Sequence, residues 1–427
     1  MLALLMHASF QIALKTIVAA LLPILSAQAV ELRVMCYADG NECDVLRQIG
    51  AGYTAAHGGT SVVVDQVPYK TILESLPVQL ASGNGPDIAR VTDFGTMAPY
   101  LLDIGPSLPD RDYWERNFAA TLAWMRNGPD DHGVYGLLSQ LTITGLYVNA
   151  SLFEQANVPI PDAKADWDAW AGAVRQVAHA TGTPFGMAWD RSGHRFAGPA
   201  ISFGAHYLDA QGKPAVVDDG FKQAAGRFVR WNGDATIDRD VWAASGSGYR
   251  DAFEDFANGK IVAYLSGSWQ LSRMQKQIGD GFDWQAAPSP CGPAACTGMP
   301  GGAAYVALKT SKNPKAVAEF LDYVASEPVY RRMMEQTVNV PAHQGLQTQA
   351  LDYALSPAAQ QAMAVFTKAA TALSPIAYRL QGYRYNRVLF DATADRVSQA
   401  IAGQITLDQA YDRITSDVAA RLAAAQR

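Results

Sequence analysis

Three kinds of side chain in this sequence are placed to hold, or act on, a small polar molecule. The first is a carboxylate. Asp93 follows Arg90-Val91-Thr92, where it could accept two hydroxyl hydrogen bonds or serve as a helix N-cap. The second is an aromatic ring behind small residues. Ser266-Gly267-Ser268-Trp269 closes an apolar run, so backbone amides can approach a ligand while the indole either stacks on a ring face or packs in a core. The third is a pair of basic stretches, Asp190-Arg191-Ser192-Gly193-His194-Arg195-Phe196 and Gln381-Gly382-Tyr383-Arg384-Tyr385-Asn386-Arg387. Arginine forks bind oxyanions bidentately, so these could form a pocket for a sulfonate, phosphate or carboxylate. Gly246-Ser247-Gly248 would add backbone and hydroxyl donors. The plainer alternative pairs the same cations with surface carboxylates.

Catalytic signatures are absent. There is no His-Glu-x-x-His, no Gly-x-Ser-x-Gly and no phosphate loop ending in Gly-Lys-Ser/Thr. Gly83-Asn84-Gly85 lacks a third glycine and precedes a strand instead of following one. His57, His132, His179, His194, His206 and His343 show no metal spacing, and Asp39-Gly40-Asn41-Glu42 lacks the later ligands of a calcium loop. Carboxylates are scattered, so nothing selects a glycosidase pair. Neither a cofactor nor a metal is expected, and an enzyme ranks second to a binding protein.

The elements that must position these residues begin after an export leader. Met1–Ala29 has no acidic residue, one lysine (Lys15), an apolar run from Ile17 to Leu25 and an Ala27-Gln28-Ala29 ending. That run is shorter than the ~20 apolar residues a spanning helix requires, so it reads as a cleaved signal peptide. A soluble periplasmic protein is expected, without membrane insertion. The four cysteines fall in two close pairs, Cys36/Cys43 and Cys291/Cys296, for which an oxidising compartment makes local disulfides the default over a zinc site. The 427 residues are 49% hydrophobic and 17% charged, which sets the chain apart from disordered sequences. A formal charge of −6 without a basic block argues against nucleic-acid binding.

Along the remainder, strands alternate with helices. Glu31–Tyr37, Ser61–Val67 and Asp87–Thr92 read as strands, separated by helices over Cys43–Ala56 and Tyr69–Ala81. This β-α-β-α-β order predicts a parallel sheet, whose carboxyl ends would carry Tyr37–Glu42, Gln66–Tyr69 and Asp93-Phe94 on one rim. Further strands are expected at Leu141–Asn149, Ile261–Leu265, Phe282–Ala287 and Tyr305–Leu308. Helices are expected at Trp167–Ala180 (capped by Asp166), Phe221–Trp231 and Pro314–Ala325.

Taken in order, several segments resemble the extracellular solute-binding proteins of ABC sugar importers, the maltodextrin-binding kind. They are Val67-Pro68-Tyr69, Leu80-Ala81-Ser82-Gly83-Asn84-Gly85-Pro86-Asp87-Ile88, Val134-Tyr135-Gly136-Leu137, Leu146 through Pro159, Asp166-Trp167-Asp168-Ala169-Trp170, Phe256 through Tyr264, Ser266 through Trp269, and Gly301-Gly302 followed by Asn313-Pro314-Lys315. The resemblance covers essentially the whole chain after the leader. It implies an α/β, two-lobe periplasmic binding protein fold with a hinge and an interlobe cleft. The lobes would be 30–138 with 283–335, and 139–282 with 336–427. It also implies capture of a sugar or sugar derivative by hinge closure and delivery to a membrane permease, with the binding protein a monomer. Gly298-Met299-Pro300-Gly301-Gly302 resembles the family's loop that closes over ligand. The candidate ligand contacts are Tyr37, Asp39, Asn41, Gln66, Tyr69, Asp93, Gln140, Arg191, His194, Gly246, Ser247, Ser268, Trp269, Gly301, Gly302 and Arg379. Two rival readings remain: a periplasmic carbohydrate-active enzyme using paired carboxylates, and an anion- or iron-binding relative with the same fold.

Overall fold

A computed structural model describes residues 30–128, 130–243 and 248–425. The leader expected at 1–29 and the candidates Gly246 and Ser247 lie outside the described residues.

The strands among the described residues are β1 (Val30–Cys36), β2 (Thr60–Gln66), β3 (Ile88–Val91), β4 (Gly136–Asn149), β5 (Phe185–Trp189), β6 (Tyr207–Leu208), β7 (Pro214–Ala215), β8 (Ile261–Gly267), β9 (Trp284–Pro288) and β10 (Pro300–Ala307). The large sheet runs β2-β1-β3-β10-β4-β8-β5, with β9 also beside β4. β1 is parallel to β2 and β3, and β5 is parallel to β8, while β10 runs antiparallel to β3 and β4. The β-α-β-α-β opening is therefore present, with one difference. The helix expected over Tyr69–Ala81 is two, Tyr69–Glu74 and Leu76–Ala81. Pro77 sits in the first turn of the second, where its missing N–H and ring interrupt a continuous helix.

β4 joins the two halves of the molecule. It is five residues longer at its start than the expected Leu141–Asn149, and all fourteen of its residues are buried. Its first part, Gly136–Ile143, pairs with β10. Its second part pairs with β8 on one side and β9 on the other. The strand is buried on both faces and mixes Ser139, Gln140, Thr142 and Thr144 with its apolar residues, so alternation in the sequence does not mark its start.

Helices complete each half. Glu42–Ala56, Pro314–Ala325 and Glu327–Thr337 pack together beside β1 and β2. Trp167–Thr181, Gly193–Ser202, Asp219–Gly233, Asn386–Ile401 and Leu407–Ala425 form the other layer around β5 and β8. Asp166 caps its helix as expected, accepting from the Ala169 N–H at 2.7 Å.

Strand pairing and helix continuity bear on two of the expected divisions. A division at 282/283 would cut β9 from β4, its pairing partner in the second half. The chain returns to the first half only at β10. A division at 335/336 falls inside the continuous helix Glu327–Thr337. The following turn, Gln344–Gln347, still packs on the helix Arg111–Met125 of the first half, and the crossing precedes the helix Pro357–Ala370, which packs on β9. Among the described residues no helix is long and apolar enough to cross a membrane.

Candidate functional site

Where the two halves meet lies a cavity of about 150 Å³. Nine of the expected contacts line it: Tyr37, Asp39, Tyr69, Asp93, Gln140, His194, Trp269, Gly301 and Gly302. The first half supplies the loop after β1, which is held at several points. The Cys36–Cys43 disulfide staples its base, and the Glu42 carboxylate accepts from the backbone N–H groups of Asp39 at 3.0 Å and Gly40 at 2.9 Å. Arg90, fully buried on β3, donates to the Tyr37 carbonyl at 2.9 Å, lies 4.1 Å from the centre of the Tyr37 ring and reaches Asp39 at 3.4 Å. Enclosure raises the Asp39 carboxyl to about 6, with Arg90 working against the rise and Glu42 adding to it. Cys291–Cys296 is likewise bridged, as expected of both pairs.

Aromatic rings span the two halves. Tyr37 and Tyr69 lie 4.7 Å apart between centroids, and Tyr69 meets Tyr249 of the second half edge-on at 6.4 Å. The Tyr69 hydroxyl sits 2.7 Å from the Thr92 hydroxyl. Asp93, for which hydroxyl binding and helix capping were both open, does cap: its two oxygens accept from the Thr96 N–H at 3.1 Å and the Thr96 hydroxyl at 2.8 Å. It also lines the cavity, where its remaining lone pairs stay available.

The second half contributes an ordered pair of basic residues. His194 opens the helix Gly193–Ser202, with Ser192 as N-cap. Its Nε2 lies 2.9 Å from the Pro300 carbonyl oxygen, so Nε2 carries the proton and Nδ1 accepts from the Arg195 guanidinium. Burial, and the adjacent Arg195 charge, lower His194 to about 3, so the ring is neutral at physiological pH. Arg195 lies 4.0 Å from the centre of the Trp269 ring and 3.7 Å from Asp190. Asp190 is fully buried and accepts from the hydroxyls of Tyr264 at 2.5 Å, Ser266 at 2.6 Å and Tyr249 at 3.0 Å. Burial raises it to about 6 against the pull of Arg195.

Glycine brings the strands close at the hinge. A Cβ at Gly302 would sit 2.4 Å from the Gln140 carbonyl oxygen, and one at Gly301 would sit 2.9 Å from the Thr142 hydroxyl. Gly301-Gly302 are thus part of strand β10, not of a loop folding over a ligand. Beside them are two buried amide oxygens without partners, Gln140 Oε1 and Gln381 Oε1, whose residues are 2% and 6% exposed and line the cavity.

Several expected contacts lie elsewhere. Arg191 is buried in the second half, donating to the Gly248 carbonyl at 2.7 Å and the Ser398 hydroxyl at 3.1 Å. Ser268 accepts from the Ile143 N–H at 3.2 Å and fastens the end of β8 to β4. Gln66 is exposed and accepts from Arg47, and Asn41 donates to the Gln336 carbonyl in a separate open groove. Arg379 is exposed on the helix Pro375–Gly382 and away from the cavity. In their place the cavity has Thr92, Thr142, Ser192, Arg195, Tyr249, Gln381, Asn386, Arg387 and Phe390. Arg195, Gln381, Asn386 and Arg387 belong to the two basic stretches, so composition marked the segments without choosing the residue.

Residues 39–330 match the family of bacterial extracellular solute-binding proteins. A lactose-binding protein of Rhizobium radiobacter is 23% identical over 74% of this chain and 76% of its own length. Among solved structures, an ABC substrate-binding protein from Listeria monocytogenes in complex with cycloalternan superposes with a TM-score of 0.78 at 15% identity, over 92% of this chain and 99% of that one. An ABC transporter solute-binding protein from Agrobacterium vitis with bound D-mannitol gives 0.71 at 16% identity, over 93% and 99%. With the two-lobe α/β architecture shared and the match spanning more than half the sequence, the chain belongs to the bacterial extracellular solute-binding protein family.

Proposed function

We propose that this protein is the periplasmic binding component of an ABC importer, and that it captures an uncharged sugar or polyol between its lobes and passes it unchanged to a permease. The lobes would be 30–143 with 300–347, and 144–299 with 348–427, joined by β4 and two further crossings. The observation that carries the reading is a cleft between the lobes lined by polar and aromatic side chains, among them Gln140 and Gln381, each with a buried amide oxygen that has no partner. A buried acceptor without a donor costs about 1–3 kcal/mol. Ligand hydroxyls would remove that cost, and contacts to both lobes would favour the closed state.

The charge pattern favours a neutral ligand over an anionic one. Arg90 faces Asp39 and Glu42, Arg195 faces Asp190, and Arg387 pairs with Asp391 at 3.0 Å. The two guanidinium groups that line the cavity each have a carboxylate, His194 is neutral, and Arg191 is turned to the Gly248 carbonyl and the Ser398 hydroxyl.

One observation favours the enzyme alternative: Asp39, lifted to about 6, has the raised value of a general acid. It would need an opposing carboxylate, whereas Asp93 is hydrogen-bonded to Thr96 on the same lobe. Calorimetric titration with sugars, followed by chromatography of the mixture, tests the choice. Saturable one-to-one binding without new products supports the transporter reading, and steady product formation overturns it.

A further inference from the structure

We infer that the ligand is no larger than a single six-membered ring or a six-carbon polyol, and that the lobes themselves exclude longer chains. This rests on the binding-protein reading above and specifies its substrate class. A cavity of about 150 Å³ matches the volume of an engineered protein cavity that admits one benzene ring, so the space between the lobes is on the scale of a single ring and not of a chain of rings. An oligosaccharide would need an open end to the groove, and cross-lobe contacts stand on the successive sides of this one.

Beside Asp39, Gly40 lies against Ser272 of the second lobe, with only 3.3 Å from a Cβ at Gly40 to the Ser272 hydroxyl. Beside Asp93, Gly95 meets the backbone of Arg384, which comes from the second lobe. A Cβ there would fall 1.7 Å from the Arg384 carbonyl oxygen. Arg384 also donates to Asn127 of the first lobe, and Gly382 packs on Trp124. Between these two closures stand the Tyr69 and Tyr249 rings, and on the hinge side His194 donates to the Pro300 carbonyl. The segment Gly382–Arg387 thus lies across the first lobe as a wall of the site. Arg387 and Asn386 at its end line the cavity, so the same stretch binds and bounds the ligand.

Gly95 is the sensitive point. The contact is backbone to backbone, which no rotamer change can relieve, so a methyl group must hold the lobes apart. The three heavy atoms nearest to a Cβ at Gly95 all belong to the Arg384 backbone.

The test is calorimetric titration of the full mature chain with D-glucose, D-galactose, D-mannose, D-fructose, D-mannitol, lactose, maltose and maltotriose. We expect at least one single-ring sugar or hexitol to bind one-to-one, and every di- and trisaccharide to bind at least about 100-fold more weakly. A disaccharide or trisaccharide binding as tightly as the best monosaccharide overturns the size limit while leaving the sugar-binding reading intact. Absence of binding across the whole panel overturns the sugar-binding reading, and the size limit with it. Gly95→Ala, checked for folding by circular dichroism, should weaken the best monosaccharide by about tenfold or more and reduce its advantage over its disaccharide. Gly95→Ala with unchanged affinity and discrimination would show that the Arg384 contact is not a wall of the site. Should that variant fail to fold, Ser272→Trp enlarges the opposite closure and is expected to weaken monosaccharide binding similarly; unchanged affinity there counts against the proposal.

Discussion

The Arg195 guanidinium lies 4.0 Å from the centre of the Trp269 ring, so the indole expected to stack on a ligand already carries a cation on one face. Such a contact is worth about 0.5–2 kcal/mol, more when water is excluded. Trp269→Phe keeps a ring under Arg195 and should weaken sugar binding less than tenfold, whereas Trp269→Ala releases Arg195 and should cost more than tenfold. Calorimetry on the two variants separates ring support from direct stacking. Equal losses would mean that the indole itself carries the contact.

Asp190 should set the pH response of the site. Burial lifts its carboxyl to about 6, from an ordinary value of 3.8. A group raised in the folded state contributes stability that is complete below its unfolded value and lost as pH rises through the folded one. The Tm of the native protein, relative to Asp190→Asn, should therefore be higher at about pH 4.5 than at about pH 7.5. Sugar affinity should run the other way, because only the ionised carboxylate holds Arg195 and Tyr249 in place. Affinities of the two proteins should converge at low pH and differ by about tenfold at neutral pH. Parallel behaviour of stability and affinity would refute the positioning role.

The Cys36–Cys43 bridge closes a short loop that presents Tyr37 and Asp39. Chain-entropy arguments give such a loop about 2 kcal/mol of stability. Replacing both cysteines by serine should lower the denaturation midpoint modestly and reduce sugar affinity by a larger factor than Tm alone suggests. Glu42→Gln, which loosens the same loop at the Asp39 and Gly40 amides, should reproduce the affinity loss with the disulfide intact. A protein that binds normally without the bridge would show that Glu42 and Arg90 suffice to fix the loop.

Charge on the ligand should be unfavourable. With Arg195 and Arg387 each facing a carboxylate, a hexose 6-phosphate or a 6-sulfonated hexose should bind no tighter than the parent hexose at matched ionic strength. Tighter binding of the anion by about tenfold would restore the anion-pocket reading of the two basic stretches.

Residues at the ends of predicted strands were legible in the sequence because strand order alone fixes a rim. Tyr37, Asp39, Tyr69 and Asp93 follow from the β-α-β-α-β opening, and all four line the cavity. Gln66, on the same rim, is turned outward toward Arg47, since side-chain direction alternates along a strand and rim position does not specify it. Arg191 and Arg195 lie four residues apart in one basic stretch, yet only the second faces the cavity. Arg191 precedes the helix N-cap Ser192, while Arg195 lies in the first turn of that helix. The stretch Gln381–Arg387 is marked by its basic composition, but which of its residues reach the site is set by the packing of the helices Pro375–Gly382 and Asn386–Ile401, which no local pattern specifies. Gln140 precedes the strand start that alternation suggested, because its strand is buried throughout.

On the proposed function, a small uncharged polyol is gripped between the two lobes and released intact. Equilibrium dialysis of the protein against a mixture of radiolabelled hexoses and hexitols, with chromatography of what is retained, tests it directly. One sugar should be held at one mole per mole of chain and recovered unaltered. Retention of none, or recovery of a cleaved or modified product, would contradict it.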